Sequence, residues 1–126
     1  MIILDTSALI YWTLDQEKIT TAARQAIEQS DHLLASSISI WEIAIRVKKN
    51  KLEIPLSVEE YTARLMKVDR LDFLAVDVPS WLASVALEWE HRDPADRVIV
   101  TTSILHDCSL ITSDRQIAKF YSKTIW

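Results

Sequence analysis

Asp93-Pro94-Ala95-Asp96-Arg97-Val98-Ile99-Val100-Thr101-Thr102 is the stretch on which the fold turns. From Arg97 onward it is rich in β-branched residues and reads as a strand by propensity. Its opening reads the other way. Asp followed by Pro is a helix start, with proline at the first helical position, where its missing N–H costs nothing. A buried helix from Pro94 to about Asp107 satisfies both signals. With that helix in place, apolar runs and helical periods alternate along the chain. Such βαβ alternation predicts an α/β sandwich with a mainly parallel sheet.

The neighbouring segments follow the same alternation. Ile2–Leu4 is a short apolar strand, and Thr6–Thr13 a helix. Ile19, Ala22, Ala23, Ala26 and Ile27 keep a helical period, with Thr20 or Thr21 near its start. Leu33–Ala35 is the second strand. Ile40, Ile43, Ala44 and Val47 mark a helix ending near Asn50, a residue type able to turn left-handed past a helix end. Ser57 caps a helix carrying Val58, Tyr61, Thr62 and Leu65 on one face. Phe73–Val76 is the third strand, and Pro79 opens a helix through about Glu90. Leu110–Thr112 is the fourth strand, a helix follows Asp114, and Thr124–Trp126 is an edge strand.

Composition limits the function classes. The 126 residues include no glycine. Phosphate loops of the GxxxxGK[ST] type, GxGxxG fingerprints and GxSxG nucleophile elbows are therefore excluded. If phosphate is handled, it is held by metal ions, basic side chains or helix N-termini. Length, 49% hydrophobic and 25% charged residues, and the lack of linkers or repeats predict one globular, soluble domain spanning 1–126. A lone cysteine, Cys108, permits no disulfide within the chain and fits a reducing cytoplasm. The apolar start lacks a basic n-region and contains Asp5, so it is a poor signal peptide, and no apolar run is long enough to span a membrane.

Net charge is −4, which argues against a general nucleic-acid binder unless the acids are gathered in one place. Their positions suggest that they are. Asp5 follows the first strand, Glu42 lies in the first turn of the helix after the second, Asp96 in the first turn after Pro94, and Asp114 just beyond the fourth strand. Ligands of open parallel sheets bind outside the carboxyl ends of strands, where strand order reverses. Each acid also has a plain structural reading. Ser39-Ile40-Trp41-Glu42 is a capping box, Asp93-Pro94-Ala95-Asp96 a similar cap, and Asp5 and Asp114 are N-cap types. The two readings are compatible, because carboxylates crowded together need positive charge nearby. Helix N-termini supply some, and divalent cations more. Oxygen ligands without Cys or His suit Mg2+ or Mn2+.

Four stretches carry a resemblance: Leu4-Asp5-Thr6-Ser7-Ala8-Leu9, Ser37-Ile38-Ser39-Ile40-Trp41-Glu42-Ile43-Ala44, His91-Arg92-Asp93-Pro94-Ala95-Asp96-Arg97 and Leu110-Ile111-Thr112-Ser113-Asp114. In this order and spacing the chain resembles the PIN-domain family, and within it the VapC-type ribonuclease toxins of type II toxin–antitoxin pairs. The resemblance implies a three-layer fold with a parallel five-stranded sheet, order 3-2-1-4-5, between helices. It implies metal-binding catalytic acids at Asp5, Glu42, Asp96 and Asp114, with Thr6 or Ser7 and Thr112 orienting the site; Asp93 belongs to the motif and reads as a helix cap. It further implies hydrolysis of RNA with Mg2+ or Mn2+, a homodimer, and a cognate antitoxin protein. Family members often carry Gly where this chain has Asn50, and Gly or a small residue at Asp107 or Cys108.

Arg46, Lys49, Arg92, Arg97 and Arg115 lie near these acids and are candidate contacts to an RNA backbone, with ordinary surface ion pairing as the alternative. Trp41 and Trp89 are expected in the core, while Trp12, Trp81 and Trp126 are candidates for partner contact, with core packing the leading reading for each taken singly. Three other readings compete. A metal-free acid–base pair would need His32, His91 and His106 to converge, which nothing in their spacing requires. A phosphoacceptor receiver-like module would use Asp77 after the third strand, but paired acids should then follow the first strand, where Asp5-Thr6-Ser7 stands. An inactive PIN-like binding module is disfavoured because all four acids are present.

Overall fold

Five short strands form one wholly parallel sheet in the order β3-β2-β1-β4-β5. The computed structural model describes residues 1–126. The strands are β1 (Ile2–Leu4), β2 (Leu33–Ser36), β3 (Leu71–Leu74), β4 (Ser109–Ile111) and β5 (Thr124–Ile125). The helices are α1 (Thr6–Leu14), α2 (Thr21–Gln29), α3 (Ile38–Lys48), α4 (Val58–Leu65), α5 (Val78–Ala86), α6 (Pro94–Leu105) and α7 (Arg115–Phe120). A single 3₁₀ turn, Gln16–Lys18, follows α1. This is the three-layer α/β arrangement, with the 3-2-1-4-5 strand order, that the resemblance implied.

Strand periodicity divides the core in two. Ile2 and Leu4 face one side of the sheet with Leu33, Ala35, Leu71 and Ile111, under Leu9 of α1, Ala23 and Ile27 of α2, Ile43 of α3, and Tyr61 and Leu65 of α4. Ile3, Leu34 and Leu110 face the other side, against Val98, Ile99 and Val100 of α6 and Ile117 of α7. The disputed stretch is thus a helix. It is buried from Val98 to Ser103, so packing outweighs the strand propensity of its β-branched residues. The Thr102 and Ser103 hydroxyls donate to the carbonyls of Val98 and Ile99 (2.8 and 3.0 Å), satisfying themselves within the helix.

The largest boundary differences fall in β3 and α5. β3 begins two residues earlier than Phe73, because Leu71 pairs with Leu33 and the Leu33 N–H donates to the Arg70 carbonyl (2.8 Å). A shift of two keeps every side chain on its expected face. α5 stops at Ala86 and does not reach Glu90. Its final carbonyls are taken by Arg97 of α6, which turns the chain away from the helix axis.

Without glycine, three other residues take left-handed backbone: Asn50 (φ 56°), Arg70 (58°) and Asp107 (50°). Asn50 and Asp107 are two of the positions where the resemblance implied Gly or a small residue. Asn50→Ala is expected to lower stability by about 1 kcal/mol, since alanine lacks the local polar contact that eases this conformation. The denaturant midpoint measures it, and an unchanged midpoint would show that the turn carries no strain.

Candidate active site

β1 is the strand from which the order reverses, with β2 on one side and β4 on the other. Leu4 lies level with Ala35 and Ile111, so the ends of three strands meet at one edge. The Asp5 N–H closes this edge on the Ile111 carbonyl (3.1 Å). The chain leaves β1 directly into α1, and the Asp5 carboxylate caps that helix by accepting the Ala8 N–H (2.8 Å). Asp114 caps α7, accepting the N–H groups of Gln116 and Ile117 (2.8 and 3.2 Å). Asp93 caps α6 through the Asp96 N–H (3.0 Å), which turns Asp96 inward from the first helical turn. Capping thus fixes where Asp5 and Asp114 stand and, through Asp93, sets the turn that carries Asp96.

Glu42 is placed differently. No capping box forms at Ser39. β2 runs almost straight into α3, whose N-cap is Ser37 without a side-chain cap, and Glu42 falls in the second turn. Ser39 is instead buried, its hydroxyl bonded to the Thr6 hydroxyl (2.9 Å). That bond ties α3 to α1 and fixes the helix that presents Glu42.

Asp5, Glu42, Asp96 and Asp114 all line one cleft of about 290 Å³, together with Thr6, Ser7, Arg46, His91 and Asp93, and no hydrophobic residue takes part. Thr112 lies beneath. Its hydroxyl accepts the Asp114 N–H (3.0 Å) and bonds the Asp5 carboxyl, so it couples the ends of β1 and β4. The electrostatics are strained. Burial pushes the Asp5 carboxyl up to about 6, against the opposing bonds from Thr112 and Ala8, and the charges of Asp96 and Glu42 push the same way. Asp96 is also raised to about 6, first by burial, opposed by its bond to His91, with Asp93, Asp114 and Glu42 adding repulsion. Arg46 pairs with Glu42 Oε2 (2.8 Å). Glu42 Oε1 is buried with no partner at all. An orphaned carboxylate oxygen among carboxyls that resist ionisation fits a divalent hard cation, for which oxygen donors are the natural set.

The basic residues separate. Arg46 lines the acidic cleft, and a second cleft of about 260 Å³ continues from it past Glu42, Arg46 and Asp93 to Lys49 and Lys51. Arg92 borders a neighbouring hollow with His91, and Arg115 is exposed at the start of α7. Arg97, expected among the RNA contacts, is committed elsewhere. Its Nε donates to Ser84, Nη1 to Trp89 and His91, and Nη2 to Val85 and Leu87, all carbonyls at 2.6–3.3 Å. A guanidinium has five N–H donors, and all are occupied.

One tryptophan departs from expectation. Trp41, expected in the core, is 53% exposed beside the basic cleft. Trp89 is half-buried and stacked on Phe120 (4.7 Å). Trp12 and Trp126 pack against the core, whereas Trp81 is exposed. His91 is the site residue that sequence reasoning set aside. Its Nε2 lies 2.6 Å from Asp96 Oδ2. The signal was its position ahead of Asp93-Pro94, which turns the chain back on itself. His32 instead pairs with Asp72, and His106 ends α6, so the three imidazoles do not converge. Asp77 caps α5 through Ser80 and lies outside the acidic cleft, which removes the phosphoacceptor reading.

A parallel sheet with carboxylates gathered at its switch point defines an α/β protein with an acidic, cation-suited cleft. The chain belongs to the PIN domain family, whose model matches residues 2–123. A protein named Ribonuclease VapC22, from Mycobacterium tuberculosis (strain ATCC 25618 / H37Rv), is 28% identical over 116 residues, covering 92% of this chain and 88% of that protein. A chain in a toxin–antitoxin complex from Klebsiella pneumoniae superposes with a TM-score of 0.69 at 22% identity, over 100% of this chain and 97% of that one. A chain of FitAB bound to an IR36 DNA fragment gives 0.58 at 18% identity, over 90% and 85%. These two likenesses concern the fold alone.

Proposed function

We propose that this protein is a metal-dependent endoribonuclease, acting as the toxin of a toxin–antitoxin pair. One observation carries the proposal: in a PIN-domain chain, four carboxylates converge at the sheet's switch point in a cleft with no apolar lining, and one oxygen, Glu42 Oε1, is left buried and unpartnered. The ribonuclease named among its relatives and the toxin–antitoxin complex among its structural neighbours support the reading.

Asp5, Glu42, Asp96 and Asp114 would hold the ion, Mg2+ or Mn2+. A cation held there would supply Lewis acidity toward the phosphodiester and the attacking water. The chain's own residues do the rest. The Thr6–Ser39 bond locks α1 against α3, Thr112 holds Asp5 and Asp114 in register, and Asp93 sets the first turn that carries Asp96. Arg46, Lys49 and Lys51 offer positive charge along the continuing cleft, suited to backbone phosphates of RNA.

Partners fit the exposed apolar surface. Val78, Trp81, Leu82 and Val85 form an exposed stripe on α5, suited to a second copy of the chain in a homodimer. Beside it Ile38, Trp41, Val76, Trp81 and Pro94 line an apolar hollow that shares Trp41 and Pro94 with the basic cleft. A cognate antitoxin seated in that hollow and extending along the cleft would cover the acids.

RNA cleavage with Mg2+ or Mn2+ tests the reading. Asp96→Asn is expected to slow cleavage on the order of 100-fold, the scale for losing one preorganised electrostatic contact, and chelation with EDTA to stop it. Undiminished cleavage by the variant would remove the acids from the mechanism. Binding of Mn2+ with no cleavage of any RNA would leave an inactive PIN-like binding module.

A further inference from the structure

His91 is the one non-carboxylate metal-ligand type that lines the acidic cleft. A ring nitrogen of His91 and one oxygen each of Asp96 and Asp114 all lie within 4.8 Å of one another, the only group of three metal-ligand side chains in the chain that gathers so closely. The ring is not a loose surface group. Its side chain is 18% exposed, against 43% for His32 in the other His–Asp pair. It leans on Trp89 with ring centroids 4.8 Å apart, and the His91 carbonyl is held by Arg97 Nη1 (2.9 Å). Packing and backbone anchoring thus converge to present a nitrogen toward two of the four acids.

We infer that His91 is a nitrogen ligand of the ion in this cleft, giving a mixed nitrogen–oxygen set that favours Mn2+ over Mg2+. The inference rests on the metal-nuclease reading and sharpens it. Imidazole suits transition ions, while Mg2+ prefers oxygen donors and retains its waters. Nε2 bonds Asp96 Oδ2. Coordination of an ion by both groups would replace that bond. If His91 only oriented Asp96, its nitrogen would remain outside the coordination sphere.

Electron spin echo envelope modulation of Mn2+ bound to the whole protein separates these cases. The expected result is a ¹⁴N coupling in the wild type that persists in His32→Gln and vanishes in His91→Gln. Calorimetry should show Mn2+ affinity falling about tenfold or more in His91→Gln, with Mg2+ affinity changing less than about threefold. Bound Mn2+ without ¹⁴N coupling would overturn the role of His91 and leave the acidic site standing. No Mn2+ binding by the wild type would overturn both. Absence of the coupling in the wild type overturns the inference even if the variant fails to fold.

Discussion

Asp5→Asn is expected to melt at a higher temperature than the wild type at pH 7 when both are free of metal, and to lose RNA cleavage. Asp5 is 5% exposed, and its carboxyl is raised from 3.8 to about 6. The folded state therefore binds this proton more tightly than the unfolded chain does. The stability associated with the proton is fully present below pH 3.8, declines as pH rises, and is gone above about pH 6. A shift of about two units corresponds to about 3 kcal/mol. Asparagine removes the ionisation and still offers a carbonyl oxygen to the Ala8 N–H, keeping the α1 cap. Allowing for imperfect replacement, the variant should gain about 1–2 kcal/mol, or roughly 5 °C. Added Mn2+ should reverse the order, because only the wild type keeps the full set of charged oxygens. Melting scans in EDTA from pH 4 to pH 8 measure the effect. A variant no more stable at pH 7, or a gap that persists at pH 4, would refute the electrostatic account.

The second large effect is structural. Arg97→Ala should lower stability by about 2–4 kcal/mol, since five carbonyls lose a charged partner while α6 itself remains intact. Arg97→Lys should recover only part of this, because an ammonium has three donors and no planar fork. The damage should be local first. Amides from Leu87 to Arg92 should exchange faster well before the sheet opens, as expected for a segment that unfolds on its own. His91 lies in that segment, so Mn2+ affinity should fall with it. Urea unfolding and hydrogen exchange check both points. A loss under about 1 kcal/mol with unchanged exchange would mean that water replaces the guanidinium adequately.

The sequence was legible where a local signal agreed with the tertiary outcome. Asp5, Asp93 and Asp114 read as caps and are caps, and the same geometry turns three strand or helix starts toward one edge. β1, α6 and the left-handed Asn50 follow from residue type at short range. The misreadings arose where a side chain's partner is distant. Ser39 reads as a cap until Thr6 is placed beside it. Arg97 reads as a free cation until the chain after α5 folds around it. Trp41 reads as core because its helix is amphipathic, yet it stands on the solvent side of α3. His91 lacked a partner in the sequence because Asp96 reaches it only through the Asp93-Pro94 turn.

The strand order has a consequence for synthesis on the ribosome. Of the five strands β1 emerges first but lies in the middle of the sheet, and β4, its neighbour on one side, emerges fourth. Asp5 and Asp114 are near opposite ends of the sequence and meet only when β1 and β4 pair. A nascent chain halted before β4 has an unpaired strand edge and an incomplete set of acids. Late closure of this kind slows folding, and it also means that a prematurely terminated copy carries no finished cleft, so a messenger broken during translation would yield harmless fragments.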